Sequence, residues 1–528
     1  MTAPWAKAVA LALLVSLAGA AQAAAQPTWR LDAIANSTVA PGGTLGYVVQ
    51  ATNVGDQSTD GSDVVMTATL PAGMTAQDAS VRVPDGSGGF STFACTAGDG
   101  SSPVAGASTV SCTNSLVVPN FGNSSDWEEL DLTVAVDGGA SGTLTTAFGA
   151  SGGGASNSPT TVDPVRVTNA APSFGLNAFD AQFTDAAGNA STQAGVHPDA
   201  GTFSFDFTAG TDPAKGPLWP LEPVKDLSVD LPPGLVGNPT AVDQCTASEL
   251  ANSIGIESRP LCPSTSQVGT TLIRMNTGGA PNPWFLGPVP VYNMVPPPNA
   301  PARFGFDVLG SVVTLDAHLR TGGDYGITVT AHDIPEGISL IGTSLTMWGV
   351  PAAPSHDAER TCQGQDPPAM GGPSCPTNTA QRPFLRLPTS CTATGAGLPL
   401  SATVDSWFNP GAFVTETMFT HELPGYPSAP EGWGAPAGTT NCPGVPFDPV
   451  FTGTPATSQA GSPSGFQFDL RLPQSDDPTQ VGESDLRKAV VSLPQGVRIS
   501  PSSAAGLAAC APSQIRLDDA SSPDCPDA

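Results

Sequence analysis

The stretch LGYVVQATNVGD, residues 45–56, alternates between large apolar side chains and small or polar ones. Its odd-numbered residues from Leu45 to Ala51 share one face of an extended strand. Two further segments repeat this period of two, DVVMTATLPAG at 63–73 and LDLTVAV at 130–136. Short strands of this kind, separated by Gly, Asp, Ser and Pro turns, predict a β-sandwich over residues 26–168 that buries one face of each sheet.

The order of turns in this region adds a resemblance to a known family. An Asn-x-Gly turn (Asn53, Gly55) leads through a strand to a Leu-Pro-x-Gly corner (Leu70, Pro71, Gly73). In this respect residues 26–168 resemble the conserved-repeat Ig-like domain of bacterial surface proteins, domain of unknown function 11. The resemblance implies an Ig-like sandwich used for surface display or spacing, and it implies no catalytic residue.

The rest of the chain contains an internal repeat. The corresponding segments are FSFDF (203–207) and FQFDL (466–470), DLPPGLVGNP (230–239) and SLPQGVRISP (492–501), and CTASEL (245–250) and CAPSQI (510–515). Asp206 and Asp469 lie 263 positions apart. We therefore predict a larger β-rich unit with long Pro/Gly-rich loops at 172–460, followed at 461–528 by the incomplete start of a second copy. The predicted fold class is all-β throughout.

Four motifs in this region occur in the same order in another group of proteins. They are AGxHP (Ala194–Pro198), LPPGLVGNP (Leu231–Pro239), CPxxSQVG (Cys262–Gly269) and WGVPxxPSHD (Trp348–Asp357). Through them residues 172–528 resemble large exported bacterial proteins of unassigned function. The resemblance implies export and brings no activity with it.

The segment CTASEL predicts a short helix. Thr246 can cap its first turn while the Glu249 side chain reaches back to the backbone, which is a capping box. In the second copy Ala511 cannot cap, although Pro512 suits a first helical turn and Gln514 keeps a polar group in place of the glutamate. We therefore interpret the repeated motif as an architectural joint.

The N-terminus and the cysteines both predict export. Lys7, the apolar run Ala8–Ala18 and the small residues Ala21–Ala23 predict a signal peptide over residues 1–25. Ten cysteines without C-x-x-C knuckles predict disulfide bonds rather than zinc. Sequence does not fix their connectivity, but short loops favour sequential neighbours. The pairs are Cys95–Cys112, Cys245–Cys262, Cys362–Cys375, Cys391–Cys442 and Cys510–Cys525. The expected location is secreted or on the cell surface.

The charge balance excludes nucleic acid as a partner. The chain of 528 residues has a net charge of −28, and its 18 basic residues are scattered. A surface that follows phosphates requires clustered Lys and Arg. After cleavage of the signal peptide, no other segment is apolar enough to span a membrane.

Three sets of residues are candidates for metal or acid–base chemistry. Asp56, Ser58 and Asp60 begin like a calcium loop, although Thr67 occupies the position of the bidentate acid. His332 with Asp333 and His356 with Asp357 could bind a metal or transfer protons if the fold brought them together. The structural alternatives are an acidic turn and ordinary loop histidines. We expect no cofactor. Calcium, bound at Asp56, Ser58 and Asp60, is the one alternative that we consider.

These patterns favour an exported structural or adhesive protein without catalytic activity, whose partners are other surface proteins or extracellular polysaccharide. The first alternative is a secreted hydrolase or metal-dependent enzyme that uses His332, His356 and nearby acids. The second alternative is a glycan-binding module. Its aromatic residues would be Trp284, Phe285, Tyr426 and Trp433.

Overall fold

The computed structural model describes residues 26–526 except 56, 86–88, 121–124, 156, 255–256, 277–283, 299, 322, 394, 422–435, 499–509 and 517–521. The predicted signal peptide lies outside the described residues. The all-β prediction is confirmed. In the described part of the chain, α-helix is limited to α1 (Ala247–Leu250) and α2 (Pro512–Ile515), together with 3-10 turns. These turns are Ser264–Ser266, Glu336–Ile338, Pro354–Glu359, Pro368–Met370 and Cys442–Gly444.

The first unit is the predicted Ig-like sandwich. Its strands are β1 (Trp29–Ala35), β2 (Thr38–Val39), β3 (Thr44–Asn53), β4 (Val64–Thr69), β5 (Met74–Pro84), β6 (Phe90–Ala94), β7 (Thr96–Ala97), β8 (Thr109–Asn114), β9 (Trp127–Val136), β10 (Gly142–Gly152) and β11 (Thr160–Val167). They form a five-stranded sheet in the order β1-β3-β9-β5-β6 and a six-stranded sheet in the order β2-β11-β10-β4-β8-β7. The alternating residues Tyr47, Met66 and Leu132 are all buried in the core between the sheets, as their period predicts.

The second unit is built on one large antiparallel sheet. Its strands are β12 (Leu176–Thr184), β13 (Ala200–Phe207), β16 (Val224–Asp230), β20 (Gln267–Met275), β21 (Trp284–Met294), β22 (Ala302–Val308), β23 (Ser311–Leu319), β24 (Ile327–Ala331), β25 (Leu340–Trp348), β27 (Pro399–Ser406) and β28 (Val414–Phe419). Between them lie the short strands β14 (Ala209–Asp212), β15 (Gly216–Pro220), β17 (Val236–Gly237), β18 (Ser253–Ile254), β19 (Glu257–Ser258) and β26 (Leu385–Arg386).

The large sheet curls until its two ends meet. Its strand order is β12-β13-β25-β20-β21-β22-β23-β24-β16-β27-β28, and the terminal strands β12 and β28 contact each other. A β-carbon at Gly175 would lie 3.3 Å from Cγ1 of Val414, so the two ends approach closely. The concave side of the sheet encloses a single apolar core.

The joint predicted at CTASEL has the expected geometry. Thr246 is the N-cap of α1, its hydroxyl accepts a hydrogen bond from the Glu249 amide, and the Glu249 carboxylate accepts one from the Thr246 amide at 2.8 Å. Gly234 has a φ of +86°, which L-residues with a side chain rarely adopt. In the second copy, Gln514 accepts a hydrogen bond from the Ala511 amide at 2.8 Å.

Disulfide bonds link sequential cysteines in both units. Their Cα–Cα distances run from 4.3 Å for Cys95–Cys112 to 5.8 Å for Cys391–Cys442. The other three bonds join Cys245–Cys262, Cys362–Cys375 and Cys510–Cys525. Described cysteines are all paired.

The second copy begins with a hairpin of β29 (Val450–Pro455) and β30 (Phe466–Arg471), which pair with each other. The Pro/Gly content around β29 predicts loop, yet FDPVFT at 447–452 follows the pattern of FDAQFT at 179–184, which ends β12. The hairpin therefore matches β12 and β13 in sequence pattern but not in register, because Phe451 pairs with Leu470 whereas Phe183 pairs with Gly201. The domain boundaries at 168/172 and 460/461 stay predictions, and β29 and β30 pair across the second of them.

Candidate functional site

His356 is a buried structural residue with a neighbouring acid. Its side chain is 5% exposed and stacks on the Trp348 ring at a centroid distance of 4.6 Å. Its Nε2 lies 3.7 Å from Oδ1 of Asp199, and that same oxygen accepts a hydrogen bond from Oγ of Ser355 at 2.8 Å. The carboxylate thus stands between serine and histidine, whereas a catalytic triad requires the histidine in the middle.

Burial lowers the pKa of His356 to about 4, so its imidazole is neutral at pH 7. The adjacent Asp357 turns away to accept a hydrogen bond from the Thr377 amide at 3.2 Å and lies 3.5 Å from Nε of Arg360. His356 and Asp357 therefore have separate partners and form no acid–base pair.

His332 lies in a different environment, at the end of β24. Its side chain is 61% exposed, and its Nδ1 lies 3.5 Å from Oδ1 of Asp226. Asp226 and Asp333 both bind Nζ of Lys225, at 2.7 and 2.9 Å. The two histidine pairs have no partner in common, so the fold does not assemble the predicted four-residue site.

The predicted calcium loop is a hydrogen-bonded turn where the structure describes it. Oδ1 of Asp60 accepts hydrogen bonds from the amide and hydroxyl of Ser62, which lower the pKa of Asp60. Oγ of Ser58 accepts one from the Asn120 amide at 3.2 Å. Asp56 lies outside the described residues. Within the described residues, no group of three or more His, Cys, Asp or Glu side chains could hold a metal ion.

The glycan-binding alternative stays a prediction, because two of its four aromatic residues lie outside the described part of the chain. Phe285 packs against the apolar cluster between the two units, with Ile34 and Leu218. Tyr426 and Trp433 lie outside the described residues. Trp284 lies in β21, where it pairs with Met275.

We expect the two histidines to differ in their contribution to stability. His356→Ala removes a buried, stacked ring and should lower the free energy of unfolding by about 2–4 kcal/mol. His332→Ala removes a largely exposed ring and should change it by less than about 1 kcal/mol. Denaturant titration of both variants measures the difference. Equal losses would contradict the assigned environments.

The sandwich and the large sheet contact each other through an apolar cluster and a polar network. Ile34 and Val48 of the sandwich pack against Ala209 and Ile341 of the large unit. At the edge of this cluster, the Ser37 amide donates to the Ala209 carbonyl at 2.9 Å, and the Ser37 hydroxyl accepts from the Ala209 amide at 2.9 Å. The units are therefore joined by both apolar packing and hydrogen bonds.

Arg274 is the centre of this interface. It lies on β20, is 3% exposed, and its Nη1 donates to Oδ1 of Asp32 in the sandwich at 3.2 Å. Its Nη2 donates to Oδ1 of Asp206 in the large sheet at 2.6 Å. The β-carbon that Gly342 lacks would lie 2.7 Å from Nε of Arg274, so the guanidinium requires glycine there.

The charges around Arg274 influence one another through a medium that excludes water. Burial raises the pKa of Asp206, and burial together with Asp206 raises the pKa of Asp163 well above its usual range. The pKa of Arg274 is raised despite burial, because Asp206, Asp32 and Asp163 all favour its charged form. The guanidinium offsets the charges of Asp206 and Asp32, whereas the raised pKa of Asp163 favours its neutral form.

A cavity of about 280 Å³ lies beside this ion-pair cluster, between β1 and the outer face of the large sheet. Hydroxyl groups on its wall bond to each other: Thr202 to Thr346 at 3.0 Å, and Ser204 to Ser344 at 2.9 Å. Ser344 also accepts a hydrogen bond from Arg274. These hydroxyl groups are hydrogen-bonded to one another and to Arg274. The arrangement therefore stabilises the contact between the units and does not resemble a site with an activated nucleophile.

Sequence reasoning missed this cluster, although one signal was present. Arg274 interrupts the apolar strand TTLIRM, and a charge within a buried strand requires a partner. The partner Asp32 lies 242 positions away, so the sequence alone could not identify it.

The fold and the interface define an all-β protein whose units contain internal disulfide bonds and whose sandwich and large sheet are joined through a buried ion-pair cluster. No protein-family model matches the sequence, and no curated protein matches it. No helix in the described ranges is long and apolar enough to cross a membrane.

Solved structures give distant similarities. They include a partial N-terminal region of an enterococcal surface protein (7% identity, 75% of this chain, 95% of that chain, TM-score 0.24). A second is the C-terminal domain of the Streptococcus pyogenes antigen I/II-family protein AspA (8% identity, 75% of this chain, 99% of that chain, TM-score 0.19). A third is the Enterococcus faecalis protein ACE, described as binding its ligands by the collagen hug model (9% identity, 79% of this chain, 97% of that chain, TM-score 0.17). Because these TM-scores are low, we take no function from them.

Proposed function

We propose that the chain is an exported structural and adhesive protein without catalytic activity, and that it adheres to a second copy of itself through the hairpin β29–β30. Disulfide bonds in both units fit an oxidising compartment outside the cytoplasm. The neutral, stacked His356 and the separately bonded His332 support a non-catalytic role. The observation that carries the proposal is the bare apolar face of the hairpin.

The hairpin is amphipathic, because cross-strand pairing places its apolar residues on one face. Phe451 pairs with Leu470, Gly453 with Phe468, and Pro455 with Phe466. The other face carries one apolar residue, Val450, together with Thr452, Thr454, Gln467, Asp469 and Arg471. The Phe468 ring stacks on both Phe451 and Phe466, at 5.9 Å in each case. An apolar face of this kind on a protein of net charge −28 marks an interaction surface.

The corresponding strand of the large unit, β13, has the same apolar face, but there the face is buried. Phe205 of β13 is 3% exposed, whereas its counterpart Phe468 of β30 is 45% exposed. β13 lies between β12 and β25, so both its edges are paired. Within the described residues β30 pairs with β29 alone. The second edge of β30 is therefore able to accept another strand.

A second copy of the hairpin can both pair with the open edge of β30 and extend the apolar face. Two β30 strands that pair antiparallel around a two-fold axis at Phe468 place each Phe466 opposite Leu470 of the other copy. Side chains alternate between the two faces of a strand. This register therefore keeps Phe466, Phe468 and Leu470 of both copies, six side chains in all, on one side of a four-stranded sheet. Such an isologous contact is closed and self-complementary.

We expect Phe466→Ser with Phe468→Ser to weaken self-association by at least about 100-fold, since two aromatic side chains per copy lose their burial. Sedimentation equilibrium over a concentration series measures this. The matched control is Phe90→Ser, which removes an exposed phenylalanine from the sandwich instead. A wild-type chain that stays monomeric, or a control variant that dissociates equally, would refute the assigned surface.

The absence of catalysis has its own test. The test assays the wild-type chain and two variants, His332→Ala and His356→Ala. Each is given ester, glycoside and peptide substrates with and without divalent metal ions. We expect no turnover above background. Turnover by the wild-type chain that either substitution abolishes would support the hydrolase alternative instead.

A further inference from the structure

An apolar cavity of about 180 Å³ lies inside the curled sheet of the large unit. Every side chain that lines it is apolar, and Phe203, Phe205, Phe304 and Phe384 supply its aromatic walls. A smaller cavity of about 60 Å³ shares several of these walls, including Phe205 and Leu315. Thr271 and Thr343 also line the smaller cavity, so the wholly apolar lining is a property of the larger one.

Small side chains on three adjacent strands create this space. Ala302 on β22 pairs directly with Ala317 on β23, and Leu315 on β23 pairs with Ala331 on β24. All three alanines are buried and line the larger cavity. Strand interiors ordinarily carry β-branched or aromatic residues at such positions. The cavity therefore follows from the sequence of the sheet rather than from loose packing of large side chains.

The repeated motif DLPPGLVGNP supplies part of the cavity wall. Leu231, Leu235 and Val236 line the cavity from this segment. Charged groups lie next to this part of the wall, because Arg320 donates to the Leu231 carbonyl at 2.9 Å and its Nη1 lies 3.4 Å from Oδ1 of Asp230. An ion pair thus adjoins the apolar interior at Leu231.

We infer that this cavity binds the hydrocarbon part of an amphiphile, with the polar end beside Arg320 and Asp230. Protein interiors are close-packed, and an apolar void of about 150 Å³ stays dry and binds nonpolar molecules. A polar ligand finds no hydrogen-bond partner among the side chains that line the larger cavity.

The test uses octan-1-ol as the probe and octane-1,8-diol, which is polar at both ends, as the matched compound. A molecule that binds only the folded state raises the melting temperature in proportion to its occupancy. We expect octan-1-ol to raise it saturably and the diol to leave it unchanged. Ala302→Phe, which fills the cavity, should abolish the shift.

Two further variants make the result decisive. Ala317→Leu fills the same space with a smaller change, and it replaces Ala302→Phe if circular dichroism shows that variant to be unfolded. Phe466→Ser with Phe468→Ser should bind octan-1-ol like the wild type, which separates the cavity from the adhesive hairpin. No shift in the wild type, an equal shift with the diol, or an undiminished shift in the folded cavity variant would each overturn the inference.

Discussion

Replacing Arg274 with methionine is expected to lower the free energy of unfolding by about 3–5 kcal/mol, which is the usual loss when one partner of a buried ion pair is removed. Methionine keeps much of the side-chain volume, so the loss reports charge rather than a cavity. Without the guanidinium, Asp206 loses its ion pair, and Asp32 keeps only Arg30, whose Nε lies 3.4 Å from its Oδ2. Guanidinium chloride titration at pH 7 measures the effect.

The control for this variant is Arg166→Met, because Arg166 is exposed on β11, the strand of the sandwich that also carries Asp163. We expect it to change stability by less than about 0.5 kcal/mol. The loss in Arg274→Met should also shrink at acid pH, because protonated aspartates no longer need a cation. A loss equal to that of Arg166→Met, or one that is independent of pH, would show that the cluster does not join the units.

Local features of the fold could be predicted from the sequence because they depend on neighbouring residues. The period of two between Leu45 and Ala51 defines a buried face whatever the partner strand is. The Thr246–Glu249 capping box lies within four residues. Cys95 and Cys112 are 17 positions apart, so the loop they close is short. Each of these features requires only the geometry of a strand, a helical turn or a short loop.

The features that define the interface and the cavity depend on long-range pairing and could not be predicted in this way. β13 pairs with β25, which places Ser204 beside Ser344 across 140 positions. The cavity requires Ala302, Ala317 and Ala331 to meet on adjacent strands, and alanine in a strand has no distinctive local signal. The partners of His332 and His356 could not be predicted for the same reason, because Asp226 and Asp199 lie more than 100 positions away from them in the sequence.

The free energy of unfolding of the sandwich should depend on pH through Glu128. This residue lies on the inward face of β9, has no exposed surface, and Oε2 accepts a hydrogen bond from Nδ2 of Asn114 at 2.6 Å. Burial raises the pKa of its carboxyl from 4.5 to about 7. Glu128 therefore stays protonated in the folded state over a range in which it ionises in the unfolded chain.

The direction in which the free energy of unfolding changes with pH follows from the linkage between protonation and folding. Below about pH 4.5 the carboxyl is protonated in both states, and its full contribution to stability is present. As the pH rises through about 7 that contribution is lost, by about 3 kcal/mol in total. Glu128→Gln stays neutral at every pH and keeps a carbonyl oxygen for Asn114. We therefore expect the variant to be more stable than the wild type at pH 8 by about 3 kcal/mol relative to their difference at pH 4.5.

Denaturant titrations of both proteins at pH 4.5, 6 and 8 measure this change. Using the difference between wild type and variant cancels the pH dependence of the other carboxylates, including those around Arg274. The exposed Glu416→Gln on β28 is the matched control and should run parallel to the wild type at all three pH values. A constant difference between Glu128→Gln and wild type would mean that Glu128 ionises alike in both states. In that case water or a rearranged Asn114 must reach the carboxylate inside the sandwich.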